Sequence, residues 1–347
     1  MTLSMTATKH SYRHSLRGFS LVELMIAMSL GLLIIGVVVG IFLSGNRNYA
    51  QDERYARLQE NGRFAMKTLL TDLGSADFWG GMTSPDTLPA LAAAATCGIT
   101  LDGRNDLGNA VIDTATAAAI TARFSCIVDA KENTSAIVIK RVQGACLANS
   151  GDPVFAYKYG KDCPNTAPMS GTCSCTAPES GKAYLRTSGI TGSLIPPDAA
   201  AVPVGSRYWE YIPRIYYIRR YSTKAADGTE DGIPTLVRKS LQAGAMVSQP
   251  LVEGVENFRI TSGASSGTAA PLPVTVHVLA RSLDRDPAYN ANQAGVKTYS
   301  LGGTCFTTAG APCTPLLTVD NTPQHYYRRV FASTVAMRNP GLLSQYQ

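Results

Sequence analysis

Glu23 is the side chain whose chemistry most needs explaining. Its carboxylate sits just inside an apolar run that continues without a charge or a proline from Leu24 to Leu43. An acidic group at the centre of a membrane helix costs roughly 2.5 to 3.5 kcal/mol on an insertion scale, less towards its end, so a partner is called for. The residues just ahead can supply one. Gly18 follows a basic leader and precedes the apolar run, the reverse of an ordinary secretory signal, where the small-residue cut lies beyond the apolar region. Cleavage at Gly18-Phe19 would remove the leader, keep the apolar run and free an α-amino group on Phe19. The reference pKa of that amine, about 7.7 to 8.0, leaves it largely cationic at neutral pH. Phe19 and Glu23 are one helical turn apart, so amine and carboxylate can pair. The competing reading makes Glu23 an interfacial residue on a simple membrane anchor, its carboxylate reaching the headgroups.

Other chemistry is sparse. Gly263-Ala264-Ser265-Ser266-Gly267 has the letters of a nucleophile elbow, with Asp284 and His325 following in hydrolase order. Thr261 to Ala270, however, is a small polar run without the strand and helix an elbow needs. His10 and His14 leave with the leader, and His277 falls on a strand face. Asp102 to Asp106 and Asp227 to Asp231 offer carboxylates at turn spacing, but neither follows the EF-hand pattern, and both read as solvated turns. Cys173-Ser174-Cys175 lacks the C-x2-C spacing of a zinc site. The chain therefore reads as a non-enzyme with no cofactor and no metal. Arg207-Tyr208-Trp209-Glu210-Tyr211, with Arg214, Arg219, Arg220 and Lys224, combines the residue types that stack on bases and bind phosphates. Of the formal net charge of +6, three charges (Lys9, Arg13 and Arg17) leave with the leader. The remainder is small for a nucleic-acid binder, and tyrosines on a half-exposed sheet account for the run.

The element that must position Glu23 is a helix. At about 1.5 Å per residue, Leu24 to Leu43 matches a bilayer core of roughly 30 Å. Residues 1–18 carry basic but no acidic side chains, so this flank is expected in the cytoplasm and everything after Leu43 outside the inner membrane. Ala27 with Gly31 and Gly36 with Gly40 form two small-xxx-small pairs that let helix backbones approach closely; glycine is also simply frequent in membrane helices. Beyond Leu43 the pattern turns amphipathic. Leu58, Gly62, Ala65, Met66, Leu69, Leu70 and Leu73 form a stripe, with Arg57, Glu60, Arg63, Lys67 and Asp72 expected opposite it. Gly74 is a natural stop, so Phe19 to Leu73 predicts a rod of roughly 80 Å, with Ser44 to Asn48 as the place where it would kink.

All 19 prolines and all eight cysteines lie after Gly74. Strands are expected at Ala136 to Val142, Tyr211 to Tyr221, Thr235 to Leu241, Val252 to Ile260, Val274 to Arg281 and Tyr326 to Arg338, paired as antiparallel sheet. The second and third form a hairpin with a long polar tip around Asp227-Gly228 and Asp231-Gly232. Leu88 to Thr96 and Ala110 to Thr121 are alanine-rich and open to either state. On the periplasmic side disulfides are permitted. Cys305 with Cys313, and Cys163 with Cys173 or Cys175, are placed for local staples, while Cys97, Cys126 and Cys146 are left for longer links, joined by the remaining one of Cys173 and Cys175. The expected organisation is a cleaved leader (1–18), a transmembrane and assembly helix (19–43), an amphipathic continuation (44–73) and a globular β-rich head (74–347).

Gly18, Phe19, Ser20, Leu21, Val22 and Glu23 together resemble the class III signal of type IV prepilins and pseudopilins. The head is larger and richer in cysteine than that of a typical major pilin. Gln59 to Ala65, Asp77-Phe78-Trp79-Gly80, Val252 to Phe258 and Arg328 to Asn339 resemble the PilW-type minor pilins. The resemblance implies a pilin-like α+β fold, with a long N-terminal helix packed on a large antiparallel head whose loops are stapled by disulfides. It also implies cleavage by a prepilin peptidase and N-methylation of Phe19, with Glu23 accepting the terminal amine of a neighbouring subunit. The implied partners are other minor and major pilins and a tip adhesin, not nucleic acid, in an assembly-priming or tip complex. A minor pseudopilin of a type II secretion system would share every N-terminal feature. A membrane-anchored surface protein that binds DNA or another ligand is the alternative from a different class.

Overall fold

The computed structural model describes residues 18–80, 97–99, 111–143, 146–147, 173–174, 182–188, 191–195, 207–262, 273–286, 289, 299–301, 304–305 and 325–336. The chain divides into two units, Met1–Glu53 and Arg54–Gln347. Helix α1, Leu21–Gly74, supplies the described structure of the first unit and continues into the second. It passes through Ser44 to Asn48 without interruption, so the expected kink site stays helical. The helix carries Val37-Val38-Val39, a β-branched run that favours helix poorly in water. In an apolar medium the constraint reverses, because only an internally bonded backbone is tolerated there. No described residue of the first unit is buried.

In the second unit the α1 stripe becomes the floor of the core. Leu58, Gly62, Ala65, Met66, Leu69 and Leu73 are buried, and so is Asp72, which the sequence pattern had placed on the opposite face. Asp72 lies three residues after Leu69 and one before Leu73, so helical geometry puts it at the stripe, where the sheet supplies its partners.

β7, Arg207–Arg219, is the hub of a nine-stranded sheet. It pairs antiparallel with β2 (Thr134–Val142), β3 (Cys146–Leu147), β5 (Tyr184–Ser188) and β8 (Thr235–Gln242). β1 (Val111–Ala115), β4 (Cys173–Ser174), β6 (Thr191–Ile195) and β9 (Ala245–Glu253) extend it outward. A second sheet has the order β10 (Val255–Ser262), β11 (Pro273–Arg281), β14 (Arg328–Ala336), and β12 (Ser300–Leu301) pairs with β13 (Thr304–Cys305). Among the described residues every strand pairing is antiparallel except β3 with β4. The long-tipped hairpin is β7–β8, and the period-two set of β11 buries Val274, Val276, Val278 and Ala280. The expected α+β class, with the helix against antiparallel sheet, is what the second unit shows.

Two local outcomes differ from the sequence expectation, and one open reading is resolved. Val252 to Ile260 is two strands, not one, because Gly254 breaks it at φ 77°. A Cβ there would lie 2.7 Å from the Arg281 carbonyl oxygen, so the close crossing requires glycine. At this residue the chain leaves the large sheet and enters the small one. β9 was not anticipated; it follows the two-residue turn Ala243-Gly244, both at positive φ, as in tight hairpins. The ambiguous Ala110 to Thr121 holds strand β1 and then helix α2, Ala117–Arg123, whose Thr116 side chain accepts the Ala119 N–H at 3.2 Å. Leu88 to Thr96 lies outside the described residues.

The helix and β14 meet at close range. A Cβ on Gly62 would collide with the Phe331 ring, and one on Gly74 would lie 3.2 Å from Val335. After the helix, Asp77-Phe78-Trp79-Gly80 turns the chain along β2, with hydrogen bonds from Asp77 N to Lys140 O (3.1 Å) and from Val142 N to Phe78 O (2.9 Å). Trp79 stacks on Tyr211 and Phe78 meets Trp209 edge-on, while Gly80 gives the Trp209 ring room.

Candidate functional site

Gly18 and Phe19 precede α1, and the first helical hydrogen bond runs from Leu24 N to Ser20 O at 3.1 Å. Phe19 is 82 % exposed. Glu23 occupies the first turn, where the unsatisfied N–H groups and the helix dipole favour a negative charge. At about 100° per residue, Glu23, Ala27 and Gly31 fall along one stripe, whereas Gly36 and Gly40 fall about half a turn away. The two small-residue pairs therefore face roughly opposite sides. A Cβ at Gly31, Gly36 or Gly40 would meet nothing within 4 Å. The described chain packs nothing of its own against these positions, and a helix with small residues on two faces can be approached closely from two directions.

The second cluster of chemically active groups lies in the head. The Asp72 carboxylate accepts two hydrogen bonds from Arg214 Nη1 at 2.6 and 2.7 Å, one from Arg141 Nη2 at 3.1 Å, and one from the Tyr216 hydroxyl. Burial pushes the acid up, but the bonds and charge of Arg214, the Tyr216 hydroxyl and Arg141 outweigh it, so Asp72 stays ionised below the ordinary carboxylate range. The same setting drives the Tyr216 phenol well above its usual range, through burial first and the Asp72 charge second. A parallel arrangement closes the small sheet. Buried Glu256 accepts Arg328 Nε at 2.8 Å and Nη2 at 3.0 Å, with Arg281 3.7 Å away. Both are fixed charges between elements far apart in sequence.

The remaining sequence candidates are accounted for in place. In the aromatic and basic run, Trp209 and Tyr211 are buried rather than half exposed, and further along β7 Tyr216 and Tyr217 are buried too. Arg214 is held by Asp72, Arg219 donates to the carbonyls of Tyr221 and Ser222, and Arg220 pairs bidentately with Glu230. The Asp227–Asp231 turn is tied by its own chain. Asp227 accepts Thr229 N, and Asp231 accepts the N–H groups of Ser222, Thr223 and Ile233. Burial raises Asp231, yet these backbone donors hold it at about 2. Asp102 to Asp106 and Ser265 lie outside the described residues. His325 bonds the Tyr289 carbonyl at 2.7 Å through Nδ1, and His277 faces Thr261 across two strands. Among the cysteines, Cys97 is bonded to Cys126. Cys146 and Cys173 are register partners in β3 and β4, and Cys305 is in β13. Cys163, Cys175 and Cys313 lie outside the described residues, and with them the expected local staples.

The sequence reading missed Asp72, although the signal was present: an acid at a stripe position of an otherwise apolar helix face. It also missed Gly62 as a contact, since the partner ring lies near the other end of the chain.

A helix long and apolar enough to cross a membrane, with an acid in its first turn and a β-rich head packed on its later turns, defines the class of membrane-anchored, pilin-like α+β proteins. Residues 13–39 match the family described as the prokaryotic N-terminal methylation motif. The chain is thus prepilin-like, with the N-terminal signal shared by proteins of type IV pilus or type II secretion machinery; proteins of that kind are typically structural and non-enzymatic, and the signal implies processing by a prepilin peptidase and assembly with pilins. No curated protein and no solved structure matches the chain.

Proposed function

We propose that the chain is a minor pilin of a type IV pilus, cut between Gly18 and Phe19 and methylated on the Phe19 amine. The head stands in the periplasm while α1 rests in the inner membrane, and it reaches the cell surface when the subunit joins the pilus. There it works with other minor pilins to prime assembly and to present a tip adhesin, and so serves adhesion and twitching motility. The observation that carries this reading is the uncovered apolar half of α1, led by Gly18-Phe19 and Glu23. A helix with no buried residue in its first unit needs a bilayer or neighbouring helices to cover it. In a filament core the Glu23 carboxylate accepts a neighbour's Phe19 amine, a pair that fixes axial register more than it adds stability. The head then acts as an interaction surface, and its size suits a low-copy subunit that is not repeated along the fibre.

Deletion of the gene, scored for surface pili and for secreted enzymes, tests this directly. Loss of pili with secretion intact is expected. Loss of secretion with pili intact would assign the chain to a type II secretion pseudopilus instead.

A further inference from the structure

A cavity of about 440 Å³ opens in the head beside the β8–β9 turn, a size in the range of small-molecule sites. Its walls include Arg214 and Arg238, with apolar surface from Ile212, Pro213 and Leu241. Lys182 and Glu210, also in the wall, pair with each other at 3.4 Å. Among the described residues, the guanidinium groups in this wall, together with Arg141 behind it, are not balanced. Arg141 and Arg214 share the single carboxylate of Asp72. Arg238, which touches the Tyr216 hydroxyl side of that cluster, hydrogen-bonds through Nη2 to neutral Gln249 at 2.6 Å and pairs with no carboxylate among the described residues. Three half-buried arginines thus stand against one acid. The Nε atoms of Arg141, Arg214 and Arg238 are buried without a hydrogen-bond partner. A desolvated excess of positive charge is costly unless an anion joins it, and a planar guanidinium fork matches a carboxylate best.

We propose that this cavity binds a small organic carboxylate, of the kind a peptide C-terminus presents, with Arg238 as the charged anchor and the Ile212, Pro213 and Leu241 surface taking an adjoining apolar group. The mixed wall favours this ligand over a bare inorganic anion, which would leave the apolar surface unused.

Calorimetry on the full chain in detergent micelles tests the site, with acetyl-leucine, acetyl-leucinamide and inorganic phosphate as probes. Saturable binding of acetyl-leucine is expected, weakened about tenfold or more by amidation and by Arg238→Gln, as for loss of a charged hydrogen bond. Absence of saturable acetyl-leucine binding, equal affinity for the amide, or unchanged affinity in folded Arg238→Gln would overturn the proposal. So would phosphate binding more tightly than acetyl-leucine. If Arg238→Gln does not fold, the acid, amide and phosphate comparison on the unsubstituted chain decides alone.

Discussion

Helix α1 has two halves built from the same backbone hydrogen bonds yet opposite in fate. From Leu21 to Glu53 no residue is buried, although Leu24 to Leu43 is wholly uncharged; from Leu58 to Leu73 a one-sided stripe is sealed under the sheets. The apolar half has surface and no cover, while the amphipathic half has only as much apolar surface as its own head can cover. Hydrophobicity alone therefore does not say where a helix packs. The second half is specified by fixed contacts, a buried acid and a glycine against a ring, whereas the first carries small residues on two faces and a single acid at its tip. One half is finished within the chain, and the other is written for contacts outside it.

Breaking the finished half should cost most. Asp72→Ala strands Arg141 and Arg214 without their acid, and removing one partner of a buried pair costs about 3 to 5 kcal/mol; a large drop in the head's melting temperature by circular dichroism is expected. Gly62→Val drives a side chain into Phe331, and overpacking of this kind costs about 1 to 3 kcal/mol. Gly36→Val, whose Cβ meets open space, should leave the same melting temperature unmoved, and a matching drop there would erase the contrast between the halves.

Acid sharpens the comparison further. Asp72 and Glu256 both titrate below their ordinary range in the folded head, Asp72 through Arg214, Tyr216 and Arg141, and Glu256 through Arg328 and Arg281, in each case against the opposing effect of burial. A depressed carboxylate contributes stability that is fully present above its unfolded pKa of about 4 and is lost as pH falls through the folded value. Melting temperature should hold steady from neutral pH to about 5 and decline below about 4, with a shallower decline in Asp72→Asn. Smallest of all for the head is Glu23→Ala. No change in its melting temperature and normal membrane insertion are expected, while incorporation into pili, read by immunoblot of sheared fibres, falls. Normal loading of that variant would remove the amine–carboxylate pairing from the account.

What could be read in advance follows from how far each signal reaches. The apolar run, the stripe from Leu58 to Leu73 and the β7–β8 hairpin are written in neighbouring residues, and periodicity exposes them. Asp72 was misplaced because its partners, Arg141 and Arg214, lie far along the chain, and an acid on a helix defaults to solvent. Gly254 was read through as strand because its need for glycine comes from the Arg281 carbonyl, which no local pattern announces. Tyr211 was placed on a half-exposed sheet, but β7 has strands on both sides and the helix against it, so Tyr211 is core, as are Tyr216 and Tyr217. At the other end of α1, the Gly18-Phe19 and Glu23 signal is compact and contiguous, and it was found whole.

The contact of Gly62 with Phe331 and of Gly74 with Val335 joins the chain's first element to its last described strand. The small sheet and the helix stripe facing it cannot close until β14 has been made, since long-range pairings form only once both partners are present. Until β14 is made, the helix stripe around Gly62 and Gly74 has no side chain of that strand to close on it. The last described strand therefore times this part of the fold, and a chain cut before Arg328 has no Phe331 ring to seat against the helix.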